Sequence, residues 1–193
     1  MYFLGRPPER ELMLALAHLF RIGCPPLLTA PAWLPGTPCP AGYDLLPEGT
    51  RLYTFDEKQE YATPALIVSI GSESQPLSKN PIARHHWKIP VLVNLELTTR
   101  QDARYASTLQ SRFLRLLSED LPTGNPATVS PADRLTAASL AATAAQSPVP
   151  TESCHVFFIT DVRCQPLRYE KGHPGLEFKA TITCGTRTTL APL

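Results

Sequence analysis

Apolar and polar positions alternate most clearly between residues 87 and 98. Trp87, Ile89, Val91, Val93, Leu95 and Leu97 interleave with Lys88, Pro90, Leu92, Asn94, Glu96 and Thr98. Successive side chains on a strand point to opposite faces, so this period predicts a strand with one apolar and one mostly polar face. The pattern returns where Leu176, Phe178, Ala180, Ile182 and Cys184 alternate with Glu177, Lys179, Thr181 and Thr183. A sheet of such strands is covered on one side only. Two more runs predict strands, Ala65–Ile70 before Gly71 and His155–Arg163, with a hairpin turn inside 167–176.

Three stretches carry the helical period instead. Leu12, Leu16, Leu19 and Phe20 recur at three- to four-residue spacing from about Pro8 to Ile22, with Glu9 and Glu11 in the first turn and Gly23 as the stop. A second helix opens at Asp102 and aligns Ala106, Leu109, Phe113, Leu116 and Leu117 opposite Gln110, Arg115 and Glu119. A third starts at Pro131 behind Ser130 as N-cap and runs to about Ala145. It is rich in alanine, with Leu135 and Leu140 as its main apolar anchors, so shallow packing is expected. Amphipathic helices are the available cover for a one-sided sheet. The expected fold is α+β: a two-layer sandwich, with a mainly antiparallel sheet of about four or five strands and helices on one face. A chain of 193 residues suits a single domain, 1–193.

Proline changes this picture between residues 24 and 64, which hold eight of the 21 prolines. Proline fixes φ and removes a ladder donor, so the stretch reads as a long loop with one short strand near Arg51–Phe55. Loops of this length are generally functional or held by a partner. Its stranded apolar residues Trp33, Leu34, Leu45 and Leu46 are candidates for an assembly interface. The polar strand face adds Lys88, Asn94, Glu96, Glu177 and Lys179. Thr186–Leu193 reads as a loose polar tail.

Charge and candidate chemistry then narrow the function classes. A formal net charge of +1 gives no strong field toward nucleic acid or an anionic membrane. The basic residues are spread over several elements without an interleaved aromatic platform, so sequence-specific nucleic-acid binding is not expected. The start MYFLGRPPERE does not read as a signal peptide, and Leu12–Phe20 is too short to span a bilayer. Five cysteines without CxxC spacing suggest neither a disulfide framework nor a zinc knuckle, and suit a reducing cytoplasm. His85 and His86 are adjacent on a strand, so they point apart and need a bulge to share one ion. No carboxylate is spaced to orient His155 or His173, and His18 lies within the first helix. Motifs for nucleophilic, phosphate-binding, dinucleotide or zinc chemistry are missing. The acid pairs Asp56-Glu57 and Glu119-Asp120 read as solvated charges. The expectation is a protein without catalytic residues, cofactor or metal.

The segment WKIPVLVNLELTTRQDARYASTLQSRFLRLL resembles the central strand and helix of the tail-completion, or tail-terminator, proteins of long-tailed bacteriophages. The order around it is similar too: an amphipathic first helix, a PALIVSIG strand, a polar TTRQDA turn and a closing hairpin, HVFFITDVRCQPLRYEKGHPGLEFKATITCG. It spans most of Pro8–Gly185 and lies in order and alternation rather than in single residues. The 24–64 loop and the alanine-rich helix depart from it. The resemblance implies a homo-oligomeric ring, commonly a hexamer, at the head-proximal end of a tail in the virion. Its partners there are the tail-tube protein and the head connector or stopper. The alternatives are another neck or minor tail component, part of a contractile injection machine, or an α+β domain using the 24–64 loop as a ligand or enzymatic pocket.

Overall fold

A computed structural model describes residues 8–22, 46, 49–54, 62–71, 75–76, 86–97, 100–122, 128–144, 146, 152–168 and 174–188. Trp33, Leu34, Leu45, His85 and His173 lie outside the described residues. Three helices, α1 (Glu9–Ile22), α2 (Arg100–Ser118) and α3 (Pro131–Ala144), pack on a sheet. Its strands are β1 (Arg51–Thr54), β2 (Ala65–Ile70), β3 (Gln75–Pro76), β4 (His86–Glu96), β7 (Glu152–Arg168) and β8 (Pro174–Thr188). A two-residue ladder, β5 (Leu121–Pro122) with β6 (Thr128–Val129), joins α2 to α3. The strand order is β1-β2-β4-β8-β7, with β3 also against β4. Among the described strands, only β1 and β2 pair in parallel. The α+β fold expected from the alternation is therefore the fold observed.

The core lies between helices and sheet. Ile89, Val91, Val93, Leu95 and Leu97 of the β4 segment face it, as do Leu176, Phe178, Ala180, Ile182 and Cys184 of β8. Trp87 stands half-buried at its margin. Phe20 of α1, Phe113 of α2 and Phe178 of β8 meet edge to face, with ring centroids 4.6, 5.3 and 5.9 Å apart. Such aromatic contacts add to the burial of their area.

Several sequence expectations need correction. Leu46, placed on an interface, is 3% exposed and belongs to the core. A leucine in an irregular segment has no period to reveal its direction. Leu140 is half-buried, while Ala138, Ser139 and Ala142 face inward with Leu135. Small residues let α3 lie close against α1 and β7, so its packing is close rather than shallow. β8 continues to Thr188, where 186–188 pair with Cys154, Ser153 and Glu152. Ladder hydrogen bonds belong to the backbone, so polar residues can extend the strand.

Pro90 sits inside β4, just past the last β2 pair, Ile70–Val91. Its carbonyl accepts from Gly71 N–H at 2.8 Å, and the return bond that its nitrogen cannot donate falls at the end of β2. A proline fits a strand where no donor is needed. A Cβ on Gly71 would stand 2.8 Å from the Pro90 Cγ, which explains the glycine.

Candidate functional site

The sheet face turned away from the helices is the candidate site. Register places its side chains in rows across β4, β8 and β7: Lys88–Thr183–Phe158, Pro90–Thr181–Thr160, Leu92–Lys179–Arg163 and Asn94–Glu177–Gln165. Two bulges in β7 shape this face. Phe157 is the extra residue between the pairs Val156–Cys184 and Phe158–Thr183, so the alternation reverses and Phe158 turns outward. It is 66% exposed and is the exposed large hydrophobic residue among those described. Farther along, Asp161 and Val162 share the place opposite Ala180, and Asp161 takes the left-handed region at φ 55°. Asp tolerates that conformation better than most side chains.

The second bulge borders a groove of about 380 Å³ lined by Pro90, Leu92, Asp161, Arg163, Lys179 and Thr181, among others. Its electrostatics are uneven. Glu177 Oε1 accepts from Gln165 Nε2 at 2.7 Å and lies 2.8 Å from Lys179 Nζ. Asp161 Oδ2 accepts from the Thr160 hydroxyl at 3.2 Å. Glu96 is already engaged. Lys88 and Arg163 are exposed and form no ion pair among the described residues. At the far end, the Phe157 ring contacts His86 at 4.4 Å and His155 at 4.8 Å, flanking Gly185 in the register.

No protein-family model and no curated protein matches this chain. The reading of the site therefore rests on its geometry. Of the sequence candidates, Lys88, Asn94, Glu96, Glu177 and Lys179 share the open face. They are not equivalent there. Lys88 and Lys179 are exposed, whereas Glu177 is held within the sheet. Asn94 is half-buried, and its buried Oδ1 accepts no hydrogen bond among the described residues. Sequence reasoning missed Phe158 and Arg163 because a bulge reverses the face and leaves no mark in the period. It also missed the groove.

Chemistry elsewhere does not converge. Among the described residues no three His, Cys, Asp or Glu side chains gather as metal ligands. Cys154 and Cys184 are buried, and the Cys184 thiol, then burial, push the Cys154 thiol up. Burial pushes Cys164 up to about 12. Raised thiols are poor nucleophiles. No helix among the described residues is long and apolar enough to cross a membrane.

The β7 edge is covered by side chains. Ser139 Oγ accepts from Cys154 N–H at 2.8 Å, and Thr136 Oγ1 from Val156 N–H at 2.9 Å. Gln110 Nε2 donates to the Cys164 carbonyl at 3.0 Å. An edge capped and bulged in this way resists strand addition.

Proposed function

We propose that this chain is a non-enzymatic structural protein of phage assembly, forming a ring at the head-proximal end of a tail. The ring ends tube polymerisation and joins the tail to the head connector. The observation that carries this reading is the open sheet face, where Arg163, without an ion pair among the described residues, lines a groove and an exposed phenylalanine stands beyond it. An exposed aromatic beside polar groups is the usual make-up of a protein-binding patch. The order of elements supports the same reading, since it resembles tail-completion proteins from the first helix to the closing hairpin. The capped β7 edge directs contacts to faces and loops rather than to strand addition at that edge. A closed ring repeats one heterologous interface elsewhere on the surface, and the open face is then left for the tube or the connector.

The test is native mass spectrometry of the purified chain, with electron microscopy after mixing with tail tubes. The expected result is a ring, a hexamer in the simplest case, bound at one end of each tube. A monomer at high concentration that leaves tube ends bare overturns the proposal. One observation favours a second reading: about 380 Å³ falls in the range of small-ligand sites. Such a ligand would bind the monomer and leave tubes untouched.

A further inference from the structure

The two signs of charge on the open face are in different situations. Glu177 is committed to Gln165 and Lys179, Asp161 accepts from Thr160, and Glu96 is engaged. Arg163 and Lys88 are exposed and form no ion pair among the described residues. Arg163 also stands directly opposite Lys179 in the register. Lys179 already pairs with Glu177, which leaves Arg163 as the cation of this row that an anion can meet. A guanidinium takes a carboxylate through two parallel N–H bonds. Beside these cations Pro90 and Leu92 line the groove, and Phe158 projects one row beyond Thr160.

We infer that the open face docks an acidic protein segment, with a carboxylate on Arg163 beside Lys179, one apolar side chain on Pro90 and Leu92, and another on Phe158. The inference rests on reading this face as the docking surface and adds the chemistry of the partner. A second copy docked face to face fits poorly, because its carboxylates on this face are already engaged while its cations repeat. A nucleic-acid backbone fits poorly too. It calls for a longer basic track than Lys88, Arg163 and Lys179 provide, and it makes no use of an apolar groove.

The test titrates the isotopically labelled full chain with a short peptide alternating leucine and glutamate, and with its leucine–glutamine counterpart. The acidic peptide is expected to saturate and to shift the amides of Leu92, Arg163, Lys179 and Thr181. The glutamine peptide should bind about tenfold more weakly, since charge pairs set specificity at such contacts. Arg163→Glu should weaken the acidic peptide by about tenfold or more, and Arg163→Lys should retain part of the binding. Equal affinity for the two peptides overturns the inference, even if a variant fails to fold. So do shifts confined to other surfaces, tighter binding of duplex DNA at the same amides, or self-association through this face. Rings that cap tubes in a protein indifferent to the acidic peptide sink this inference alone. Acidic-peptide binding by a strict monomer that ignores tubes sinks the ring reading alone.

Discussion

Selected polar groups on the two faces of the sheet are in different situations. On the helical side polar side chains are buried and bonded to backbone. Arg134 of α3 is fully buried and donates to the Leu116 carbonyl at 2.7 Å, to the Val129 carbonyl at 2.6 Å, and to the carbonyls of Arg115 and Glu119. It thus closes the C-terminal end of α2, where orphan carbonyls and the dipole favour a cation. Thr136 and Ser139 from the same helix serve the β7 edge. On the open side, Lys88 and Arg163 stand in solvent without an ion pair among the described residues. The buried groups Arg134, Thr136 and Ser139 bond backbone atoms that hold the fold together.

The comparison breaks first at Arg134. Arg134→Met should cost about 3–5 kcal/mol, because it strands several buried carbonyls at once. Urea denaturation measures it, with Arg115→Met as the control. Arg115 is exposed and pairs with Glu119 at 2.9 Å, so that change should cost under about 0.5 kcal/mol. Similar midpoints for the two variants would remove the distinction between a buried, backbone-bonded arginine and an exposed, ion-paired one.

The next largest effect lies within one strand. Leu95→Ala on the core face of β4 should cost about 2–5 kcal/mol. Lys88→Ala on its open face should stay within about 0.5 kcal/mol. Thermal unfolding of the two variants is the check, and a large loss for Lys88→Ala would mean the open face is structural.

Ser139→Ala is a smaller change on the buried side. It leaves the Cys154 N–H without its partner, so about 1–3 kcal/mol should be lost. Hydrogen exchange at Cys154 should quicken, and unchanged protection there would show that Ser139 does not guard the edge.

The smallest effect concerns pH. Burial raises the Cys164 thiol from 9.0 to about 12 in the folded chain. Above pH 9 the unfolded chain loses this proton and the folded chain keeps it, so stability falls as pH rises from about 9 toward about 12. Below that window the thiol favours neither state. Cys164→Ala should flatten the decline measured by denaturation at pH 8 and pH 10.5. An identical slope in both proteins would show that Cys164 does not contribute.

Much of this was legible in the residues. The one-sided strands β4 and β8 follow from strict alternation, and α1 from its leucine spacing. Ser130 caps α3 as expected: its hydroxyl accepts from Asp133 N–H at 3.2 Å. The positions of Lys88, Asn94, Glu96, Glu177 and Lys179 on one face follow from the same period of two.

Other features depend on neighbours distant in the chain. Arg134 reads as an ordinary helix cation until α2 ends beside it. Leu46 has no period to place it, and Phe158 turns outward only because β7 carries one residue more than β8 opposite it. Local periodicity records which side of an element is apolar, because burial repeats with the backbone's own geometry. It cannot record which polar group meets which carbonyl, where a strand bulges, or which charges find partners. The sequence by itself therefore determined the elements, the apolar faces and the α+β class. Only tertiary structure decided the rest: the packing of α2, α3 and β7 set which buried polar groups are satisfied, and the second bulge of β7 against β8 and β4 set where the groove lies.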